Sequence, residues 1–260
     1  MNIKVIFLDF DDTVLDYTKG VSIDIPSIEA IKKAQRKGVL VFLNTSRHHL
    51  CIKKSGILEV LKPDGIISNT GAIIEYNGEF IHLDYLDEET VQKMYDFCTA
   101  RHYNLEIADE YDRYLITDDL TYVKTIFHDH TNMPPRTDVY KKKKATALLA
   151  FGEDVDAEEI SRIIHDKYMT EQFTSHTVDC YHKNSSKGTG VKFILNKFGF
   201  SKDEAMAFGD SYSDMPMFKE VKYSICMSNG KSEAKDIAYY VTDTVSNSGV
   251  KKALEHFKII

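Results

Sequence analysis

Three short polar clusters each follow directly on an apolar run: Asp9-Phe10-Asp11-Asp12-Thr13 after Val5–Leu8, Asn44-Thr45-Ser46 after Val39–Leu43, and Gly209-Asp210-Ser211-Tyr212-Ser213-Asp214 after Ala205–Phe208. If the runs are strands of one parallel sheet, the clusters lie outside the strands' carboxyl ends, where open α/β sheets bind ligands. Asp9, Asp11, Asp210 and Asp214 then share one crevice. Two unit charges about 4 Å apart repel by about 4 kcal/mol at an effective dielectric near 20, so such a group calls for a cation. An all-oxygen donor set favours a hard divalent ion such as magnesium, which keeps several waters and completes its octahedron with substrate phosphate. The chemistry implied is metal-assisted handling of a phosphoryl group. Residues two apart in a strand share a face. A turn directly after the strand lets Asp9, Asp11 and nearby backbone N–H groups converge on one phosphorus.

The elements that would position these residues read as follows. Val5–Leu8 is too short for a helix and does not alternate, the pattern of a strand buried on both faces. Ile28, Ile31 and Ala34 recur at helix spacing before a stop at Gly38, and the second apolar run follows. Gly65–Ser68 reads as a third strand, and Ala72–Tyr76, the Asn77-Gly78 turn and Phe80-Ile81 read as a hairpin. The same alternation returns late: Ser186 caps a helix carrying Val191, Ile194, Leu195 and Phe198 and closed by Gly199, before the strand that ends at Gly209-Asp210. Tyr223–Met227 and Tyr239–Val241 supply two further strands, and a short amphipathic helix closes the chain.

Such alternation predicts a doubly wound, mostly parallel, Rossmann-like α/β sheet with helices on both faces. Between residues 83 and 182 the order changes. A helix over Glu88–Arg101, strands at Tyr114–Thr117 and Ala145–Phe151, and a helix near Asp156–Lys167 predict an inserted α+β module. The expected organisation is a core of residues 1–82 and 183–260 with a cap of residues 83–182.

Composition narrows the function further. A chain of 260 residues with 43% apolar and 28% charged residues is an ordinary globular protein. A net charge of -7 argues against nucleic acid and anionic membranes as partners, since both require a basic footprint. The basic run Lys141–Lys144 is read as a solvated stretch, with steering of an anionic substrate as the alternative. Cys51, Cys98, Cys180 and Cys226 are scattered and contain no CxxC pair, which fits reduced thiols and neither zinc nor a disulfide framework. Acid follows the first apolar run where a signal peptide would stay apolar, and no stretch approaches the roughly 18 apolar residues of a membrane helix. A cytoplasmic protein, monomeric or weakly dimeric, is expected.

These motifs together resemble the haloacid dehalogenase superfamily, and within it the Cof-like phosphatases with a large cap between the second and third motifs. The resemblance spans nearly the whole chain. Asp9 to Thr13 matches the DxDxT motif, and Thr45-Ser46-Arg47 matches the TGR-like second motif with serine for glycine. Ser186-Lys187-Gly188 matches the third motif, Gly209-Asp210 with Asp214 matches GDxxND, and the tail from Ser224 through Asn229 to Gly249-Val250 is also similar. The resemblance implies Asp9 as nucleophile and Asp11 as the acid that protonates the leaving alcohol and then activates water. It implies the Asp9 and Asp210 carboxylates and the Asp11 carbonyl as magnesium ligands, with Asp214 in the first or second shell. Phosphoryl oxygens would be held by Thr45, Ser46, Lys187 and the backbone of the Asp9-Phe10-Asp11 turn. Charge must be neutralised before a carboxylate can approach a phosphate, and the metal and Lys187 at a helix amino terminus do this. Ser213 stands where the family has asparagine, and no role is carried to it.

Other residues receive structural readings. Asp12 points away from the site, and Asn69-Thr70-Gly71-Ala72 is a turn. His48-His49 and the His128, His130 pair are surface or helix-end histidines without a third ligand. Tyr111, Tyr114 and Tyr122 are packing residues. The substrate implied is a small phosphorylated metabolite such as a sugar phosphate. Alternatives are a phosphotransferase or phosphomutase, a receiver-type phosphoacceptor domain, whose aspartate follows the third strand, and a DxD glycosyltransferase, which has no use for Lys187 or Gly209-Asp210.

Overall fold

The computed structural model describes residues 1–18, 20–117 and 136–260. It resolves into two compact units, one of Met1–Arg47, Gly56–Ile81 and Ser186–Ile260, the other of His48–Ser55 and His82–Ser185. The short segment His48–Ser55, which the sequence reading leaves in the core, clusters with the second unit.

The first unit is built on an eight-stranded sheet in the order Tyr240–Val241, Tyr223–Cys226, Ala205–Gly209, Val5–Leu8, Leu40–Asn44, Gly65–Ser68, Ile73–Tyr76, Glu79–Leu83. The first six strands run parallel, and Ile73–Tyr76 turns back antiparallel. Every residue of Val5–Leu8 is buried, as a central strand with both faces covered requires. Val5 and Phe7 pack in one cluster with Phe42, Ile67, Val191 and Ile194. Truncating a side chain such as Phe7 there would cost about 3–5 kcal/mol in lost transfer energy and residual cavity.

Local signals set the flanking helices. Ile25–Arg36 opens with proline in its first turn, buries Ile28, Ile31 and Ala34, and stops before the left-handed Gly38. Lys187–Phe198 opens on a capping box, in which the Ser186 hydroxyl accepts from the Thr189 N–H and the Thr189 hydroxyl accepts from the Ser186 N–H. A small hairpin, Leu15–Asp16 with Ser22–Ile23, follows the first polar cluster and has no counterpart in the sequence reading.

The second unit holds a six-stranded sheet, in the order Arg136–Thr137, Arg113–Ile116, Asn104–Ala108, Ala147–Phe151, Thr177–His182, Tyr168–Thr174. Alternate residues Leu105, Ile107, Leu148, Ala150, Val178 and Cys180 bury with Val91, Met94 and Cys98 of the helix Glu88–Arg101. The register aligns Glu106, Leu149, Asp179 and Glu171 in one row across the other face. Burial and the neighbouring Glu171 and Glu106 push the Asp179 carboxyl up to about 7. Glu106 is bound through two hydrogen bonds by Arg113, at 2.7 and 3.0 Å.

The helix expected over Asp156–Lys167 spans only Ala157–Ser161. Tyr111 is 75% exposed, whereas Tyr114 is buried. His48 and His49 are buried: His48 caps the helix His49–Lys54 by accepting from the Leu50 N–H, and its other ring nitrogen lies 2.7 Å from the Asp109 carbonyl. Burial holds the His48 imidazole down at about 4. The Lys141–Lys144 run is mostly exposed, as expected, but engaged: Lys141 pairs with Asp112 and Asp138, Lys143 with Asp109, and Lys144 lies over the Tyr85 ring. Tyr122, His128 and His130 lie outside the described residues.

Candidate active site

The strand register brings the polar clusters together. Val5–Leu8 lies between Ala205–Gly209 and Leu40–Asn44, with Leu8 aligned to Phe208 on one side and Leu43 on the other. Asp9, Asp210 and Thr45 therefore all emerge at the same sheet edge. Asp9 continues the strand for one residue, its N–H donating to the Phe208 carbonyl at 2.9 Å.

At the centre is a buried lysine. Lys187 Nζ donates to Asp9 Oδ1 at 2.5 Å and to Asp214 Oδ1 at 2.6 Å, and all three residues are buried. Burial alone would pull the Lys187 ammonium down, but the Asp214 and Asp9 carboxylates outweigh it and hold its pKa above the ordinary value. The lysine's own carbonyl accepts from the Asn44 side-chain amide at 3.0 Å, tying the helix start to the second polar cluster.

Asp214 is the most heavily engaged acid. Its Oδ2 accepts from the N–H groups of Asp210 and Ser211 at 2.9 and 2.8 Å and from the Ser211 hydroxyl at 3.0 Å. Its side chain packs on Gly209 so closely that a Cβ there would stand 2.6 Å from the Asp214 Cβ, which explains the glycine at the strand's last position.

Asp9, Asp210 and Asp214 each offer an oxygen, and these oxygens lie within 4.8 Å of one another. Burial, with Asp214 next, raises the Asp210 carboxyl to about 7, and burial with Asp214 raises Asp9 well above the carboxylate range against the pull of Lys187. Two such acids side by side mark a place short of positive charge. An oxygen-only set of this spacing fits a hard divalent cation such as magnesium. Asp9 and Asp210 are the open donors, because Asp214 already serves Lys187 and three further donors.

Asp11 has its own set of partners beside this cluster. Its carboxylate is gripped by Arg47 through two parallel bonds, Nε to Oδ2 at 2.8 Å and a terminal guanidinium nitrogen to Oδ1 at 2.7 Å. The Tyr17 hydroxyl donates to the same Oδ1 at 2.6 Å, and Arg47 also reaches the Tyr17 oxygen at 2.6 Å. The guanidinium lies 5.6 Å from the centre of the buried Phe10 ring. Arg47 stands in a motif without a partner legible in the sequence, and nothing in the sequence pattern marks Tyr17. Neither could be found without knowing that the hairpin folds back beside the second cluster.

The remaining expected residues are placed as follows. Thr45 is buried and its hydroxyl accepts from the Arg47 N–H at 3.1 Å. Ser46 is exposed. The loop is held by the following turn, where the Asn69 N–H donates to the Arg47 carbonyl at 3.0 Å and Asn69 and Thr70 both take left-handed φ values of 48° and 54°. For a β-branched threonine that conformation is strained. Ser213 is exposed, its hydroxyl 2.9 Å from that of Ser211, and lies outside the acid cluster. Asp12 also takes a left-handed φ of 52°.

An α/β sheet with acids at the carboxyl ends of adjacent strands and a buried lysine between them defines a class of phosphoryl-handling enzyme. The chain belongs to the haloacid dehalogenase-like hydrolases: the model of that family matches residues 6–254. It is similar to the 5-amino-6-(5-phospho-D-ribitylamino)uracil phosphatase YcsE of Bacillus subtilis, with 25% identity covering 99% of this chain and 96% of that protein. Phosphoglycolate phosphatase 1 of Saccharolobus solfataricus is 22% identical, covering 97% of this chain and 95% of that protein. Among solved structures, the subclass IIB sugar phosphatase BT4131 superposes with a TM-score of 0.84 at 26% identity, covering 99% of this chain and all of that one. The protein is a phosphatase of this family, which sets aside the receiver and glycosyltransferase readings. Among the described residues no helix is long and apolar enough to cross a membrane.

Proposed function

We propose that the protein hydrolyses a small phosphate monoester, with magnesium, through a phosphoryl group carried on Asp9. The observation that supports this most is the buried Lys187 ammonium shared by Asp9 and Asp214, with the Asp210 carboxylate in the same cluster. An Asp9 oxygen attacks phosphorus and forms an acyl phosphate as the bond from phosphorus to the ester oxygen breaks. Asp11 gives its proton to the departing alcohol. In the second half, Asp11 takes a proton from water, whose oxygen attacks phosphorus, and Asp9 leaves as a free carboxylate with inorganic phosphate released.

The Asp9 and Asp210 carboxylates and the Asp11 carbonyl are the proposed magnesium ligands. When bound, magnesium offsets the charge that nucleophile and phosphoryl group bring together. Asp214 is assigned to hold Lys187 and the Asp210 loop in place, because its oxygens already carry four hydrogen bonds in all. Lys187, the Thr45 hydroxyl and the backbone N–H groups around Phe10 and Ser46 are assigned to the phosphoryl oxygens. Arg47 and Tyr17 are assigned to hold Asp11.

The related phosphatases act on a ribitylamino-uracil phosphate, on phosphoglycolate and on sugar phosphates, all small phosphorylated metabolites. A sugar phosphate is the proposed substrate, and residues of the second unit are assigned the choice of leaving group. Acid-quenched enzyme examined by mass spectrometry during turnover should carry one added phosphoryl group on the peptide containing Asp9. Turnover with no such adduct on that peptide, and with Asp9→Asn still active, would remove the mechanism.

A further inference from the structure

One five-residue turn touches both acid-bearing loops, although it offers no ligand of its own. In Met227–Lys231, the Met227 N–H donates to the Gly209 carbonyl at 2.9 Å and the Lys231 N–H to the Asp210 carbonyl at 2.7 Å. The turn closes on itself where the Gly230 N–H donates to the Met227 carbonyl at 2.9 Å. Gly230 lies flat against Asp210: a Cβ there would stand 2.5 Å from the Asp210 carbonyl oxygen and 2.9 Å from its Cα. Backbone on backbone at that distance leaves no flexible side chain to give way.

Asn229, in the same turn, reaches the other loop. Its side-chain amide donates to the Asp12 carbonyl at 2.9 Å, while its oxygen accepts from the Val245 N–H at 3.0 Å. The Asn229 side chain is largely open to water, yet both ends of its amide are used. The residue it holds, Asp12, takes a left-handed φ of 52°, a conformation that a non-glycine residue keeps only where its surroundings enforce it.

From these contacts we infer that the Met227–Lys231 turn is a spacer that fixes the separation of the Asp9–Asp12 loop and Asp210, making Asn229 and Gly230 positioning residues for the cation. The Asp9 and Asp210 oxygens lie within 4.8 Å of each other, and strand pairing ends at Gly209. Beyond the strands, the turn is bonded to Asp210 on one side and to Asp12 on the other. Holding the two donors at working distance beforehand lowers the reorganisation needed when the ion arrives, as outer partners of metal ligands do elsewhere. The inference rests on the metal assignment proposed above.

The test is calorimetric titration of magnesium into the full chain, with the melting temperature measured on the same samples. Asp210→Ala is the reference: if it binds magnesium as the wild type does, the metal assignment itself fails and the spacer role falls with it. If Asp210→Ala abolishes the binding seen in wild type, the two spacer variants decide. Gly230→Ala is expected to weaken magnesium binding by about tenfold, the lower end for outer-shell changes, and to lower the melting temperature because the added Cβ displaces backbone, whereas Asn229→Ala is expected to weaken binding by about fivefold with a melting temperature close to wild type. Wild-type magnesium affinity in folded Asn229→Ala and Gly230→Ala would overturn the spacer role, as would lowered melting temperatures at unchanged affinity. Should Gly230→Ala not fold, the Asn229→Ala affinity alone settles the matter.

Discussion

Each unit contains a carboxyl group raised to about 7 by burial and by neighbouring acids: Asp210 in the first and Asp179 in the second. Their surroundings differ in origin. Asp210 and Asp214 of one loop meet Asp9 and Lys187 from two distant stretches, and all converge where parallel strands end. Asp179 meets Glu171 and Glu106 through regular cross-strand register within one sheet. In the first unit a buried ammonium and a turn of backbone N–H groups answer the acids. In the second, Arg113 answers Glu106, and burial and like charge act on Asp179 together. A raised pKa is therefore not by itself the mark of a catalytic centre. Convergence of unlike segments at a sheet edge, with a cation built in, separates the two.

The sharpest break of this comparison is at Asp9. Asp9→Asn should lower turnover by about 10⁴-fold or more while leaving the fold intact, as expected for loss of a nucleophile, whereas Asp179→Asn should leave the chemical step unaffected. Steady-state rates of both variants on one phosphate ester check this, and comparable losses would erase the distinction.

Next in size is the central cation. Lys187→Met leaves Asp9 and Asp214 buried without their partner and should destabilise the protein by about 3–5 kcal/mol, read from urea unfolding. An unchanged unfolding midpoint would mean that the pair contributes nothing to the fold.

The Arg47 grip on Asp11 predicts a smaller and more selective effect. Arg47→Ala and Tyr17→Phe should slow hydrolysis of an alkyl phosphate by roughly 10²-fold or less, the lower range for proton transfer catalysis. An aryl phosphate, whose alcohol leaves without help, should be affected much less. Equal losses on both esters would assign Arg47 to the phosphoryl group instead.

Because Asp179 binds its proton more tightly folded than unfolded, its contribution to stability is present at low pH and is lost as pH rises from about 4 to about 7. Asp179→Asn should flatten that slope and gain roughly 2–4 kcal/mol relative to wild type above pH 7, measured by chemical denaturation at several pH values. A wild-type slope in the variant would place the titration elsewhere.

Much of the first unit was legible because Asp9, Thr45 and Asp210 lie just beyond apolar runs, so that strand order alone predicts a shared edge. The mostly parallel sheet and the gathering of Asp9, Asp210 and Asp214 follow from that pattern, whereas Lys187 follows no apolar run and was legible only through the Ser186 cap and the family resemblance. The grip on Asp11 did not, since Tyr17 and Arg47 lie 30 positions apart and meet only when the small hairpin folds back. Burial of His48 and His49 escaped for a similar reason: a polar pair at a helix start looks solvated until its carbonyl partner at Asp109 is known. In the second unit the acid row depends on register across three strand pairings, which the alternation of any one strand does not determine.

The placement of Val5–Leu8 has a consequence for how the protein is made. This strand is synthesised well before Ala205–Gly209, one of its two neighbours, and Asp9 finds its ammonium 178 positions later. Until the final third of the chain has been synthesised, the strand has one side unpaired and its acid has no counter-charge. Long-range pairing of this kind is slow and leaves an edge exposed meanwhile. A nascent polypeptide that stops short of Lys187 and Asp210 therefore lacks both the ammonium and the acids that complete the cluster around Asp9.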